Sequence, residues 1–296
     1  GGTAVLEGIN TFTIHSGTGS TTGSNGIYVS GGTLKTDGSN IKFDIDGEAN
    51  NGIRVNGGTA TLRNVTTFDI KGNKNNNGVL VTTGTLDSEN ATMTISDGEQ
   101  QIGFNLQGGT SNQIKGGSLK ITNNVVKNSN LIYAKVDPKT DGVTFDVGNT
   151  SIGKNNGIYL DNNAPLTDKN SNYTINGSLN NGIYDDGNGN VTVTDPGSFI
   201  IGGEQNNGIY VTKNTTSGTL SVDRTVLRND SNYDFKVTET SNNAILSYGK
   251  NNTVKVNYIK FKVDGPADDN NDKNNAIYIK DEVTLASIDS SQFDID

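Results

Sequence analysis

The chain has 296 residues, with 23 basic against 32 acidic side chains, a net charge of −9, no cysteine and no tryptophan. Its basic residues are scattered, so the electrostatic footprint of a nucleic-acid binder is missing, and an acidic surface repels anionic membranes and polymers. Without cysteine, neither a disulfide framework nor a thiolate metal site can form.

Strand formers (Val, Ile, Thr, Tyr, Phe) are common, and 38 glycines with abundant Asn supply turns; this predicts short strands, tight turns and almost no helix. No leader segment and no bilayer-spanning apolar run is seen, so no direct membrane insertion by this segment is expected.

Taken from its start, the chain repeats itself. Gly1-Gly2-Thr3-Ala4-Val5-Leu6 followed by Thr11-Phe12-Thr13-Ile14 returns as Gly57-Gly58-Thr59-Ala60-Thr61-Leu62 followed by Thr67-Phe68-Asp69-Ile70. A second phrase, Asn-Asn-Gly-Ile-Tyr, stands in full at 155–159, 180–184 and 206–210. Its register marks fall at 26, 52, 78, 103, 131, 157, 182, 208, 244 and 276. A step close to 26 residues that persists along the chain is the signature of a repeat architecture.

Each repeat holds strand patterns that follow the marks. The first, the Gly-Ile-Tyr strand, points Ile27, Ile53, Val79, Phe104, Ile132, Ile158, Ile183, Ile209, Ile245 and Ile277 inward. A weaker strand follows a Gly-Gly-Thr type turn, as at Gly32-Thr33-Leu34 and Gly218-Thr219-Leu220. The third is an apolar pair flanking an outward residue, as in Phe12/Ile14, Phe43/Ile45, Phe145/Val147, Tyr173/Ile175 and Phe199/Ile201. That is the period-2 pattern of a half-buried strand.

Three strands in about 26 residues predict one coil of a right-handed parallel β-helix, an all-β solenoid with like positions stacked roughly 4.8 Å apart. Ten to eleven such coils are expected in a single body over 1–296. A propeller blade or a leucine-rich repeat would need a different period. The beat is interrupted near 16–25, 161–172, 212–234 and 264–274, where longer loops are expected. The chain opens and closes in mid-repeat, whereas complete solenoids carry polar caps; a segment of a longer protein is therefore expected, with signal and anchoring parts outside it.

Two columns follow from stacking. Asn25, Asn51, Asn77, Asn130, Asn156, Asn181, Asn207, Asn243 and Asn275 precede the register mark, which only Ile102 interrupts. Each carboxamide can donate to that of the next coil, forming a ladder that satisfies buried turn amides; the alternative is a glycan or metal site.

The outward residues of the same strand put Tyr133, Tyr159, Tyr184 and Tyr210 in one column on four successive coils. Such a stripe can simply stabilise the stack, or it can serve recognition, since exposed Tyr is a favoured contact for proteins and sugar faces. Asp185 stands where neighbouring coils have Leu160 and Val211. That predicts an outward bend of the strand, with Asp185 and Asp186 forming a small acidic spot.

Catalysis by a β-helix needs converging carboxylates, or acidic residues with a cation and a base. The adjacent pairs Asp185/Asp186 and Asp268/Asp269 offer candidates, but chain neighbours point opposite ways when extended, and loop Asp pairs are ordinarily solvated. His15 is the single histidine, which gives a triad or a His-based metal site little support. No calcium-binding Gly-Gly-x-Gly-x-Asp run recurs. No cofactor, metal or catalytic residue is expected.

The recurring Asn-Asn-Gly-Ile-Tyr, Gly-Gly-Thr-Leu and Phe-Asp-Ile phrases, with no cysteine and little Trp or His, resemble the passenger region of large fusobacterial autotransporter adhesins of the type V secretion class. The resemblance implies a rod on the bacterial cell surface that attaches to a host-cell protein or glycan, or to another bacterial surface. Two other readings stand beside it: a carbohydrate-active β-helix enzyme such as a polysaccharide lyase or tailspike-like depolymerase, and a passive spacer. No binding motif transfers residue by residue.

Overall fold

Ile27 lies opposite Ile53, and Ile53 opposite Val79, on strands Asn25–Val29, Asn51–Leu62 and Asn77–Glu89. The same register continues through Phe104, Ile132, Ile158, Ile183, Ile209, Ile245 and Ile277. These strands belong to a computed structural model. It describes the chain except residues 1, 9, 17–22, 38–39, 64–65, 123–125, 149–152, 162, 188, 213–217, 249–251, 266–272 and 281–284, and gives backbone alone at 285–286.

Every pairing among the described strands is parallel, and each joins a strand to the one a coil away, so the chain is an all-β parallel solenoid, as its repeat predicts. One buried hydrophobic cluster runs from Ile14 to Ala276.

Three faces make the tube. The first carries the Gly-Ile-Tyr strands. The second carries strands such as Thr33–Asp37, Leu166–Lys169, Val191–Thr194 and Thr219–Asp223. One of these corrects the sequence expectation: 161–172 is expected only as a longer loop, yet it holds Leu166–Lys169 in register with Val191–Thr194, whereas Thr219–Asp223 is the weaker strand expected from Gly218-Thr219-Leu220. The alternation of Leu166–Lys169 is masked because a polar residue, Asp168, occupies an inward site, where it is buried in register with the buried Thr140.

The third face is an eleven-stranded sheet. On it Phe12, Phe43, Phe68, Met93, Leu119, Phe145, Tyr173, Phe199, Phe235, Phe261 and Phe293 share one register. The rings among them stack nearly parallel in two runs, Phe12 to Phe68 and Phe145 to Phe293, with centroids 4.3 Å apart for Tyr173 and Phe199 and 5.2 Å apart for Phe235 and Phe261. The separation follows the inter-strand spacing of a parallel sheet, so identical residues at identical positions stack without adjustment.

Tyr173 is the one phenol in that ladder. Its hydroxyl donates to Asp168 Oδ2 at 3.1 Å, and Thr140 Oγ1 donates to Asp168 Oδ1 at 2.6 Å. Burial raises the Asp168 carboxyl above its ordinary range, against the pull of these donors. Removing one donor from a buried acceptor costs about 1–3 kcal/mol. Tyr173→Phe is therefore expected to lower stability by that amount in urea denaturation, although it restores the consensus ring of the ladder.

Candidate functional site

The phrase that sets the register also builds the outer groove. In Asn181-Gly182-Ile183-Tyr184, Ile183 is buried and Tyr184 half-buried on the outside. Gly182 passes so close to the next coil that a Cβ there would lie 2.6 Å from the Gly208 carbonyl oxygen.

The asparagine before each mark does form a ladder. Asn51 Nδ2 donates to Asn25 Oδ1 at 3.0 Å, and Asn77 to Asn51 at 2.9 Å. A second run links Asn156 to Asn130, Asn181 to Asn156, Asn207 to Asn181, Asn243 to Asn207 and Asn275 to Asn243 at 2.8–2.9 Å. Each amide donates back to the preceding coil, not onward. Where Ile102 breaks the sequence pattern, Asn105 reaches across from the next outward site and donates to Asn77 Oδ1 at 2.8 Å.

A second polar column, one residue earlier, was not foreseen. Asn50, Asn76, Gln101, Ser129, Asn155, Asn180, Asn206 and Asn242 are buried. Each side-chain oxygen accepts the backbone N–H of its counterpart one coil back, as in Asn155 N to Asn180 Oδ1 at 2.9 Å and Asn180 N to Asn206 Oδ1 at 2.7 Å. The turn amides are satisfied here, and four members of the first ladder, Asn130, Asn156, Asn181 and Asn207, instead floor the groove. The doubled Asn in the phrase was the available signal.

Tyr133, Tyr159, Tyr184 and Tyr210 stand in one column as expected. The first three rings stack, with centroids 5.4 and 5.1 Å apart, but Tyr184 and Tyr210 meet edge to face at 81° and 5.2 Å. Stacked rings show solvent their edges, whereas the edge-to-face pair breaks that pattern.

The hydroxyls are tethered on one side: Tyr133 donates to Asp161, and Tyr159 donates to Asp186 Oδ2 at 2.8 Å. Burial, then the hydrogen bond to the neighbouring carboxylate, pushes both phenols well above the usual range. Burial, then the charge of Asp186, lifts Tyr184 to about 12. All of them are neutral donors at physiological pH.

Between the column and the adjoining turn runs an open groove of about 420 Å³. Tyr159, Tyr184 and Tyr210 form one wall, Asn130, Asn156, Asn181 and Asn207 the floor, and Asn128, Lys154, Leu179 and Gln205 the other wall. These last four adopt positive φ, from 47° to 60°, a region that costs an L-residue roughly 1–2 kcal/mol. Hydrogen bonds of the two polar columns that directly follow each of these residues hold the turn in place. Nothing in the sequence marks non-glycine residues for that conformation, so this wall was missed. The groove offers ring surface, carboxamides and a varied polar rim, with no carboxylate among the described lining residues: it suits recognition.

Asp185 departs from expectation. The strand Asn181–Asp185 does not bend outward; Asp185 lies in register between Leu160 and Val211 and is 1 % exposed. Its Oδ1 accepts the Gly187 N–H at 3.1 Å, while Oδ2 has no hydrogen-bond partner among the described residues. Burial, opposed by the Gly187 bond and aided by the Asp186 charge, raises the carboxyl to about 7. Asp186 faces out and accepts from Tyr159 and Thr212. The two therefore make no acidic spot, because the pleat sends them to opposite sides.

Asp268 and Asp269 lie outside the described residues, as do most of 264–274 and of 16–25. Among the described residues, no three His, Asp or Glu side chains come together as a metal-binding group. No protein-family model, no curated protein and no solved structure matches this chain.

Proposed function

We propose that this chain is a non-catalytic adhesin segment: a rod that belongs to the passenger of a type V secreted protein on a bacterial surface and attaches to a host-cell protein or glycan, or to another bacterium. The observation that carries this reading is the groove. Four coils repeat one tyrosine column above a carboxamide floor, and the rim changes from coil to coil, which is how an invariant scaffold acquires selectivity. Aromatic side chains with polar tips are favoured contact residues, and the unused amide hydrogens and oxygens of the floor supply hydrogen bonds. The opposite facing of Asp185 and Asp186 supports a binding rather than a catalytic role, since acid–base chemistry needs the two carboxyls to converge on one bond.

Beads coated with the protein and offered to cultured epithelial cells and to whole bacteria test this. The double variant Tyr184→Ala/Tyr210→Ala is expected to lose attachment at least about tenfold, as for the loss of a central aromatic hot spot. Tyr133→Ala, in the same column but outside the groove lining, is expected to retain it. Equal attachment by all three proteins would favour a passive spacer, and release of reducing ends from polysaccharide would favour an enzyme.

A further inference from the structure

The outward side of the phenylalanine face is laced by ion pairs from coil to coil. Lys42 pairs with Asp69 at 2.7 Å, Lys71 with Asp44 at 2.9 Å, and Lys120 with Asp146 at 2.8 Å. Lys262 lies 2.8 Å from Asp296, 3.3 Å from Asp264 and 3.7 Å from Asp294. Lys236 is the exception. Its register neighbours are Ile200 on one side and Lys262 on the other, so it faces an alkyl group and a like charge. It is exposed and makes no ion pair or hydrogen bond with any described residue.

Above this lysine the chain leaves the regular coil and folds back over the face. Residues 224–234 are held by a buried carboxylate: Asp234 is fully buried and accepts from Arg224 Nε at 2.6 Å and from the Lys260 backbone N–H at 2.9 Å, with Arg228 Nε 3.3 Å away. Arg228 also donates to the Gly197 carbonyl at 2.9 Å, and Arg224 to that of Pro196. Tyr233 closes the segment, its hydroxyl donating to Asp294 at 2.7 Å and its ring 5.0 Å from Lys260 Nζ. Such bracing fixes a recess in place, unlike a mobile loop tip.

The recess encloses about 600 Å³, within the usual size of a small-ligand site. Arg228, Lys236 and Lys262 line it, with no carboxylate among the described lining residues, in a chain whose net charge is −9. Hydroxyls and carboxamides such as Ser198 and Asn232 complete the wall, beside the exposed side chain of Ile200.

We propose that this recess binds a saccharide unit that carries an oxyanion, a carboxylate or a sulfate, with Lys236 as its counter-ion. Of the three cations that line the recess, Lys236 is the one without a partner among the described residues, so pairing it breaks no ion pair of theirs. Arg228 and Lys262 add positive potential, although each already pairs with carboxylates: Arg228 with Asp230 and the buried Asp234, Lys262 with the partly exposed Asp264, Asp294 and Asp296. The hydroxyl and amide groups match sugar hydroxyls, and Ile200 offers a surface for the C–H side of a ring. A bare inorganic anion would fill only a small part of the space.

Calorimetric titration of the whole chain tests the site with three probes: sialyllactose for the carboxylate, a sulfated heparin disaccharide for the sulfate, and neutral lactose. Binding of one or both acidic sugars, at least tenfold tighter than lactose and weakening as salt rises, is expected; which of the two binds identifies the oxyanion. Lys236→Gln is expected to lower that affinity tenfold or more with an unchanged unfolding curve, because no folded contact is lost. Lys35→Ala on another face, and the Tyr184→Ala/Tyr210→Ala variant, are expected to leave it unchanged, which separates this site from the groove. The proposal is overturned by equal binding of lactose, by full binding to Lys236→Gln, by absence of binding to both acidic sugars, or by a glutamate-rich peptide that binds more tightly than either.

Discussion

Asp185→Val is expected to stabilise the protein, and to do so more at pH 8 than at pH 5. A carboxyl whose folded value is about 7, against the ordinary 3.8, holds its proton in the native state over a range where the unfolded chain has released it. Native protein binds the extra proton, so stability falls as pH rises from about 4 and levels off above 7. At the model figure of 1.36 kcal/mol per pKa unit, the full penalty is about 4 kcal/mol, of which roughly 2–3 kcal/mol develops between pH 5 and pH 8.

Valine matches Val211 in the next coil and demands no charge in the core. Hydrogen exchange of the amides in 181–185 and 207–211, followed at both pH values, should show slower opening in the variant and a smaller pH difference than in the wild type. An unchanged pH difference would mean that Asp185 is hydrated or paired in solution. Because each coil touches only its neighbours, the effect should be confined to adjoining coils.

Asn206→Ala is expected to be the most damaging exchange in the turn. Asn206 accepts the Asn180 N–H at 2.7 Å and donates to the carbonyls of Gly177 at 2.9 Å and Gly202 at 2.5 Å, all at a fully buried position. Alanine strands the Asn180 N–H and the Gly202 carbonyl, whereas the Gly177 carbonyl keeps the Glu204 N–H at 2.8 Å. At about 1–3 kcal/mol for each of the two stranded groups, partly relieved by relaxation, the loss is about 2–4 kcal/mol. Asn206→Ser is expected to be milder, since Ser129 fills the same place in another coil and its Oγ accepts the Gln101 N–H at 3.0 Å. Urea denaturation monitored by circular dichroism ranks the two, and equal losses would contradict the acceptor role.

The parts of the fold that repeat with the chain were readable without coordinates. Ile27 through Ile277, and Phe12 through Phe293, appear in the sequence as a spacing and an alternation, and both are local quantities. Other features were hidden for identifiable reasons. The strand Leu166–Lys169 reads as loop because its second inward residue is Asp168, which the core tolerates through hydrogen bonds that include those from Thr140 one coil back and from Tyr173. Asp185 reads as a surface residue by its polarity, yet its neighbours Leu160 and Val211 hold the backbone in register and carry it inside. Leu179 and Lys154 give no hint of positive φ, since the turn is imposed by the hydrogen bonds on either side of them.

Period, inward residues and the outward tyrosine column were thus determined by sequence alone, because a parallel stack repeats every side chain at one fixed position and a pattern of 26 residues is enough to specify it. Tertiary structure alone decided the second asparagine column, the burial of Asp185 and the recess over Lys236. Each of these depends on which atoms the adjacent coil, or the segment 224–234 folded across it, brings within hydrogen-bond reach, and that reach is a property of the stack and not of any one repeat.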